Sequence, residues 1–269
     1  MVAIGVSDYK DKAYKLGYAD KDARDFADIM KKNLTKDYSE VKSLVMTNSD
    51  FSGKDLGKIK EFLSSAGRDD VVMLFYAGHG LLDADLNYYL APADIDFTNP
   101  AAGGLLYEDF LGVFDGIASV NRYCFIDACH SGEFDKEDYL AVNTVKLPAG
   151  EELVFRNAGN IVRAKEEVEK INSVMDELFY DISWTRGATV LSSSGGTEFA
   201  VESPEWNNGL FTYNLKKALE TGVADRDKNG HIDIQELSDY LIRNVSEMSE
   251  GRQTPVLRTN QYNKNKKIR

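Results

Sequence analysis

Two short apolar runs constrain the fold of this chain more than any other feature. Val71-Val72-Met73-Leu74-Phe75-Tyr76 is one, and Tyr123-Cys124-Phe125-Ile126 is the other. A strand with one wet face alternates apolar and polar residues, whereas an unbroken run bounded by polar turns reads as a strand covered on both faces, as in a parallel sheet. Both runs end abruptly in small and reactive residues. The first closes with Ala77-Gly78-His79-Gly80, the second with Asp127-Ala128-Cys129-His130-Ser131-Gly132.

The flanking sequence supplies the rest of such a sheet. Met1 to Val6 reads as a strand, and from Tyr18 the residues Ala19, Ala23, Phe26, Ala27 and Met30 recur at helical spacing, predicting a helix to about Asn33. Val41 to Met46 is a second strand, and Ser52 is positioned to cap a helix running to about Ala66. Leu86 to Ala91 is a short strand, and Tyr107 to Phe114 a helix. After a break come a strand at Gly187 to Leu191, helices at Gly209 to Glu220 and Ile234 to Met248, and a last strand at Thr254 to Arg258. This alternation predicts an α/β fold with a mostly parallel sheet and helices on both faces. Ligands of such sheets sit beyond the carboxyl ends of the strands, where His79 and Cys129 fall.

The break itself, residues 133–186, carries many charges with Pro148, Gly150 and Gly159, and a helical pattern over about 161–179. It reads as an insertion or processing linker between residues 1–132 and 187–269 of one domain.

A formal net charge of -12 argues against nucleic acid as a partner, since phosphate binding needs clustered Lys and Arg. The basic cluster Lys264 to Arg269 reads as a solvated end. No apolar run reaches the roughly 18 residues of a membrane span, and no signal-peptide pattern opens the chain, so the expected location is cytoplasmic, away from membranes. Two cysteines so close together cannot form a disulfide framework or a zinc site alone, which fits a reducing compartment.

A thiol attacks carbonyls as thiolate, and a neighbouring imidazole can take its proton. Two matched strand ends carrying His79 and Cys129 therefore predict a catalytic dyad, with the amides of Gly80 and Cys129 as donors to an oxyanion. Cys124 lies in the apolar run and reads as core; His130 points away from Cys129 if the chain is extended there. No side chain is evident that would orient His79, and a backbone carbonyl could serve. Asp127, two residues before Cys129, shares its face of the strand and could line the pocket beside it.

Tyr76-Ala77-Gly78-His79-Gly80 and Asp127-Ala128-Cys129-His130-Ser131-Gly132 resemble the signature segments of metacaspases and related bacterial caspase-like cysteine peptidases. The resemblance extends through Leu16-Gly17-Tyr18-Ala19-Asp20-Lys21-Asp22-Ala23 and Asn208-Gly209-Leu210-Phe211-Thr212. It implies a caspase-type sheet of about six strands and an endopeptidase working through a thioester acyl-enzyme. It also implies cleavage after Arg or Lys, the basic side chain being held by Asp127 and Asp22, with Asp20 the alternative if the register slips. Ser193 or Ser194 would form a pocket wall. Thr197, Glu198 and Glu202 stand where the metacaspase pattern carries other polar and acidic residues. Trp206, in a polar loop, reads first as a loop anchor. Members are usually monomers, whereas caspases pair through the edge strand, so a monomer or weak homodimer is expected.

Asp225 to Glu236 fits a twelve-residue calcium loop. Asp225, Asp227, Asn229, His231, Asp233 and Glu236 occupy its ligand places, with Gly230 at the sharp turn. The chemistry of the dyad requires no cofactor, so calcium would be regulatory. If the site cuts after basic residues, the linker offers its own bonds, foremost those after Arg156 and Arg163. Protein or peptide substrates with basic residues are the expected partners. The alternatives are a protease gated by a small ligand or partner, and a calcium-binding or scaffold module with an inactive site.

Overall fold

The computed structural model describes residues 1–128, 173, 187–195, 198, 200–259 and 266–268, together with the backbone of 144–146 and 152–155. Its centre is a six-stranded sheet in the order β13-β10-β7-β3-β1-β2. The strands are β1 (Val2–Gly5), β2 (Leu44–Thr47), β3 (Val71–Gly78), β7 (Asn121–Ala128), β10 (Thr189–Ser192) and β13 (Val256–Arg258). All pair in parallel except β13, which runs antiparallel to β10 along one edge. The two apolar runs are the two central strands, in register from Val71 against Asn121 to Gly78 against Ala128.

Helices cover both faces because both faces are apolar. Phe26, on α1 (Ala19–Leu34), stacks on Phe75 and tilts against Phe125, so α1 lies on that face. Tyr76 points the other way and meets Phe110 of α3 (Tyr107–Gly112) edge-on. The remaining helices are α2 (Leu56–Leu63), α4 (Leu210–Thr221) and α5 (Ile234–Met248).

Several local expectations are revised. β2 begins at Leu44 rather than Val41, because its partner, β1, begins at Val2 and the two residues face each other. Ser52 does not cap α2. Its amide and hydroxyl both donate to Asp55, so the carboxylate is the acceptor and the helix starts later, at Leu56, and ends at Leu63. Gly80 opens a short strand, β4 (Gly80–Leu82), that pairs with β5 (Tyr88–Leu90), and β5 with β6 (Leu105–Leu106).

The stretch read as a linker contributes β8 (Thr144–Lys146) and β9 (Glu152–Phe155) to a second sheet, with β11 (Val201–Ser203) and β12 (Asn208–Gly209). The helical pattern over 161–179 lies outside the described residues, Ser173 apart. Of the basic end, residues 266–268 are described, and they are anchored: Ile268 is buried and donates its amide to the Ile232 carbonyl, and Lys267 pairs with Asp37. Among the described residues no helix is long and apolar enough to cross a membrane.

Candidate active site

The chain builds β1 and β2 outward in one direction and then β3, β7 and β10 in the other, so the topology reverses between β1 and β3. Loops leaving adjacent strands at such a reversal diverge and open a crevice at the carboxyl ends. Here the two loops are Ser7 to Gly17, after β1, and the turn at His79, after β3.

His79 is fully buried in that crevice. Its Nε2 lies 2.9 Å from the carbonyl oxygen of Tyr14, and since a carbonyl only accepts, Nε2 carries the hydrogen. Tyr14 ends a 3-10 turn, Lys12–Tyr14, capped by the Asp11 carboxylate, which aims that carbonyl inward. The rings of Tyr9, Phe97 and Tyr14 surround the imidazole at centroid distances of 5.0, 5.5 and 6.3 Å. Its backbone is held by two buried hydroxyls: the His79 amide donates to Tyr9 Oη, and Tyr76 Oη donates to the His79 carbonyl, each at 2.9 Å. Gly78 is required there, because a Cβ would come within 2.6 Å of Tyr76 Oη and 2.9 Å of Tyr9 Oη. None of the three tyrosines was assigned a role by sequence reasoning, and a backbone carbonyl leaves no side-chain signature.

The β3–β7 register ends at Gly78 against Ala128, so the next residue of each strand is His79 on one and Cys129 on the other. Cys129 itself lies outside the described residues, as do His130, Arg156, Arg163 and Thr197. Cys124 is fully enclosed in β7, and burial pushes its thiol far above the usual range, so it stays protonated and unreactive. Gly80 is buried at the start of β4.

Asp22 and Asp127 are both fully buried, the first in the opening turns of α1 and the second at the end of β7. Asp22 accepts from the side chain of Asn208 at 2.8 Å and from the Gly209 amide, while Asp127 accepts from the Thr212 hydroxyl at 2.6 Å. Asp20 is tied to Ser7 and Arg24. Burial alone would raise its carboxyl, but bonds from Arg24 and Ser7 outweigh that and hold it below the usual range. Ser193 and Ser194 are buried where β10 ends; Ser193 takes its place through its amide on the Ile126 carbonyl and its own carbonyl on Gln253. Glu202, on β11, is buried against the Gly17 amide at 2.6 Å. Glu198 accepts from the Thr254 amide, and its burial raises its carboxyl. Trp206 packs on Tyr213, as a loop anchor would.

The acidic loop between α4 and α5 brings oxygens of Asp225, Asp227 and Glu236 within 4.8 Å of one another, a donor set that suits a hard cation. The other expected ligands have these partners in the loop. Asn229 donates its amides to Asp225 and Asp227, the His231 side chain is exposed, and Asp233 caps α5 in a reciprocal capping box with Glu236. The amides of Arg226 and Asp227 also reach Glu236.

The sequence model of the caspase domain, a peptidase family, matches residues 1–266. No curated protein is similar enough to the chain to match it. Among solved structures, protein GSU0716 from Geobacter sulfurreducens superposes with a TM-score of 0.61 at 16% identity, over 98% of this chain and 96% of that one. Caspase-1 from Spodoptera frugiperda superposes with a TM-score of 0.54 at 13% identity, over 96% of this chain and 84% of that one. At these identities the likeness to the solved structures is one of fold.

Proposed function

The chain belongs to the caspase domain family, and on that premise we propose that it is a cysteine endopeptidase that cuts after arginine or lysine, with His79 and Cys129 as its dyad. One observation carries the reading: an imidazole oriented by a backbone carbonyl stands at the strand end whose register partner leads into Cys129. With Nε2–H committed to Tyr14, Nδ1 holds the lone pair that takes the thiol proton. The thiolate then adds to the scissile carbonyl, and the amides of Gly80 and Cys129 are the proposed donors to the oxyanion. Collapse expels the amine, protonated by His79, and leaves a thioester; water, deprotonated by the same imidazole, hydrolyses it and regenerates the thiol.

The basic preference rests on Asp22 and Asp127, two buried carboxylates at this end of the sheet. Ser193 and Ser194 are the proposed wall of that pocket. Substrates are proteins or peptides with accessible basic residues, the linker bonds after Arg156 and Arg163 among them, and the setting is a cytoplasmic stress, cell-death or antiviral response. The enzyme works as a monomer or weak homodimer, with calcium as a regulator through Asp225, Asp227 and Glu236. A fluorogenic peptide ending in Arg, assayed beside one ending in Asp, tests the reading. Turnover of the Arg peptide that is lost in Cys129→Ala supports it, and cleavage of the Asp peptide instead would overturn the pocket. Identical fragmentation of the Cys129→Ala chain would refute self-cleavage.

A gated form of the same enzyme is favoured by a second observation. β9, from the segment between the two halves, pairs antiparallel with β11 just beyond the Ser193–Ser194 turn, so a ligand or partner that moves that segment also moves the wall of the site.

A further inference from the structure

The acids proposed to hold the basic side chain belong to different elements: Asp22 is on α1 and Asp127 on β7. Both are tied to one five-residue stretch, Asn208 to Thr212, which comprises β12 and opens α4. The Gly209 amide reaches both oxygens of Asp22 at 3.1 Å, and Asn208 Nδ2 reaches Oδ1 at 2.8 Å. Three residues on, the amide and hydroxyl of Thr212 both donate to Asp127 Oδ2, at 3.3 and 2.6 Å. Asn208 Nδ2 also donates to Asp25, whose carboxylate holds Lys21 and Lys216, so the clamp is braced from outside.

Resting on the function proposed above, we infer that Asn208 and Thr212 are positioning residues for substrate selection, fixing the planes of Asp22 and Asp127 so that arginine is bound in preference to lysine. A carboxylate has about four acceptor positions. Donors arriving from the residues just before α4 and from its first turn, where the dipole favours negative charge, occupy some of them and lock the rotamer. The remaining positions then have a fixed direction. A guanidinium needs that direction, because its donors form a rigid planar fork that pairs two oxygens at once. An ammonium is a point charge with rotatable donors and tolerates a carboxylate that swings. Freeing the carboxylates therefore penalises arginine more than lysine, which a general loss of fold would not do.

The test compares three peptides identical except for Arg, Lys or norleucine before the cut, with the full chain and Thr212→Val, Thr212→Ser and Asn208→Ala. Thr212→Val keeps the shape and removes the hydroxyl. Its kcat/KM on the Arg peptide should fall about tenfold, mainly through KM, with the Lys peptide changed less than about threefold, while Thr212→Ser restores the Arg preference. Asn208→Ala should narrow the Arg-to-Lys ratio in the same way, and it decides the matter if Thr212→Val does not fold. A ratio unchanged in both variants, or a fall carried by kcat alone on both peptides, overturns the clamp. If the parent chain ignores Arg and Lys alike, the pocket reading fails first, and the clamp with it.

Discussion

Gly78→Ala tests how tightly the two tyrosine hydroxyls hold His79. The added methyl would lie 2.6 Å from Tyr76 Oη and 2.9 Å from Tyr9 Oη, closer than a carbon can approach. Neither hydroxyl can retreat freely. Tyr76 Oη bridges the His79 carbonyl and the Ala91 backbone, and Tyr9 Oη accepts the His79 amide. Overpacking of a closed site costs about 1–3 kcal/mol, and the φ of 156° at Gly78 adds strain on the order of 1 kcal/mol for a residue with a side chain. The sum, about 2–4 kcal/mol, corresponds to a Tm lower by roughly 4–8 °C in a domain of this size. Scanning calorimetry reads the stability, and turnover of an arginine peptide reads the displacement of His79. The same substitution in a Tyr76→Phe background should cost less, because the nearest atom is gone, with a coupling of about 0.5–3 kcal/mol. A Gly78→Ala protein that melts within about 1 °C of the parent and turns over normally would refute the reasoning.

Three other outcomes follow from the packing and charges. Asp25→Asn should lower Tm at neutral pH and lose that effect in acid: burial alone would raise the Asp25 carboxyl, but bonds from Lys21, Lys216 and Asn208 hold it below 3.8. A depressed carboxylate stabilises the fold above its unfolded value and ceases to as pH falls through its folded one, so the Tm gap between variant and parent should close below 3.8; a constant gap contradicts this. Ile268→Ala should cost about 2–5 kcal/mol in urea unfolding, as the loss of a buried side chain does, and a change under about 0.5 kcal/mol would mean that the chain end does not pack as described. Millimolar calcium should raise the Tm of the parent and leave Asp225→Asn unmoved; a parent insensitive to calcium removes the ion from the loop.

Much of the sheet and part of the site were legible because they are written locally. A strand buried on both faces must be apolar at every position, and Val71 to Tyr76 and Tyr123 to Ile126 are. His79 and Cys129 stood out because glycines and reactive side chains break those runs at matched places. What stayed hidden depends on partners far away along the chain. Asn208 meets Asp22 across 186 positions and Thr212 meets Asp127 across 85, and nothing in either segment announces the other. β8 and β9 exist because β11 offers an edge to pair with, in a stretch whose charges and glycines read as a linker. The amino-acid sequence thus determined the central parallel strands and where their apolar runs give way to reactive side chains, since burial on both faces is written in consecutive residues. Only the tertiary structure decided that the Tyr14 carbonyl orients the imidazole and that one helix start holds both acids, since hydrogen bonds between distant backbone and side-chain groups leave no periodic trace in the chain.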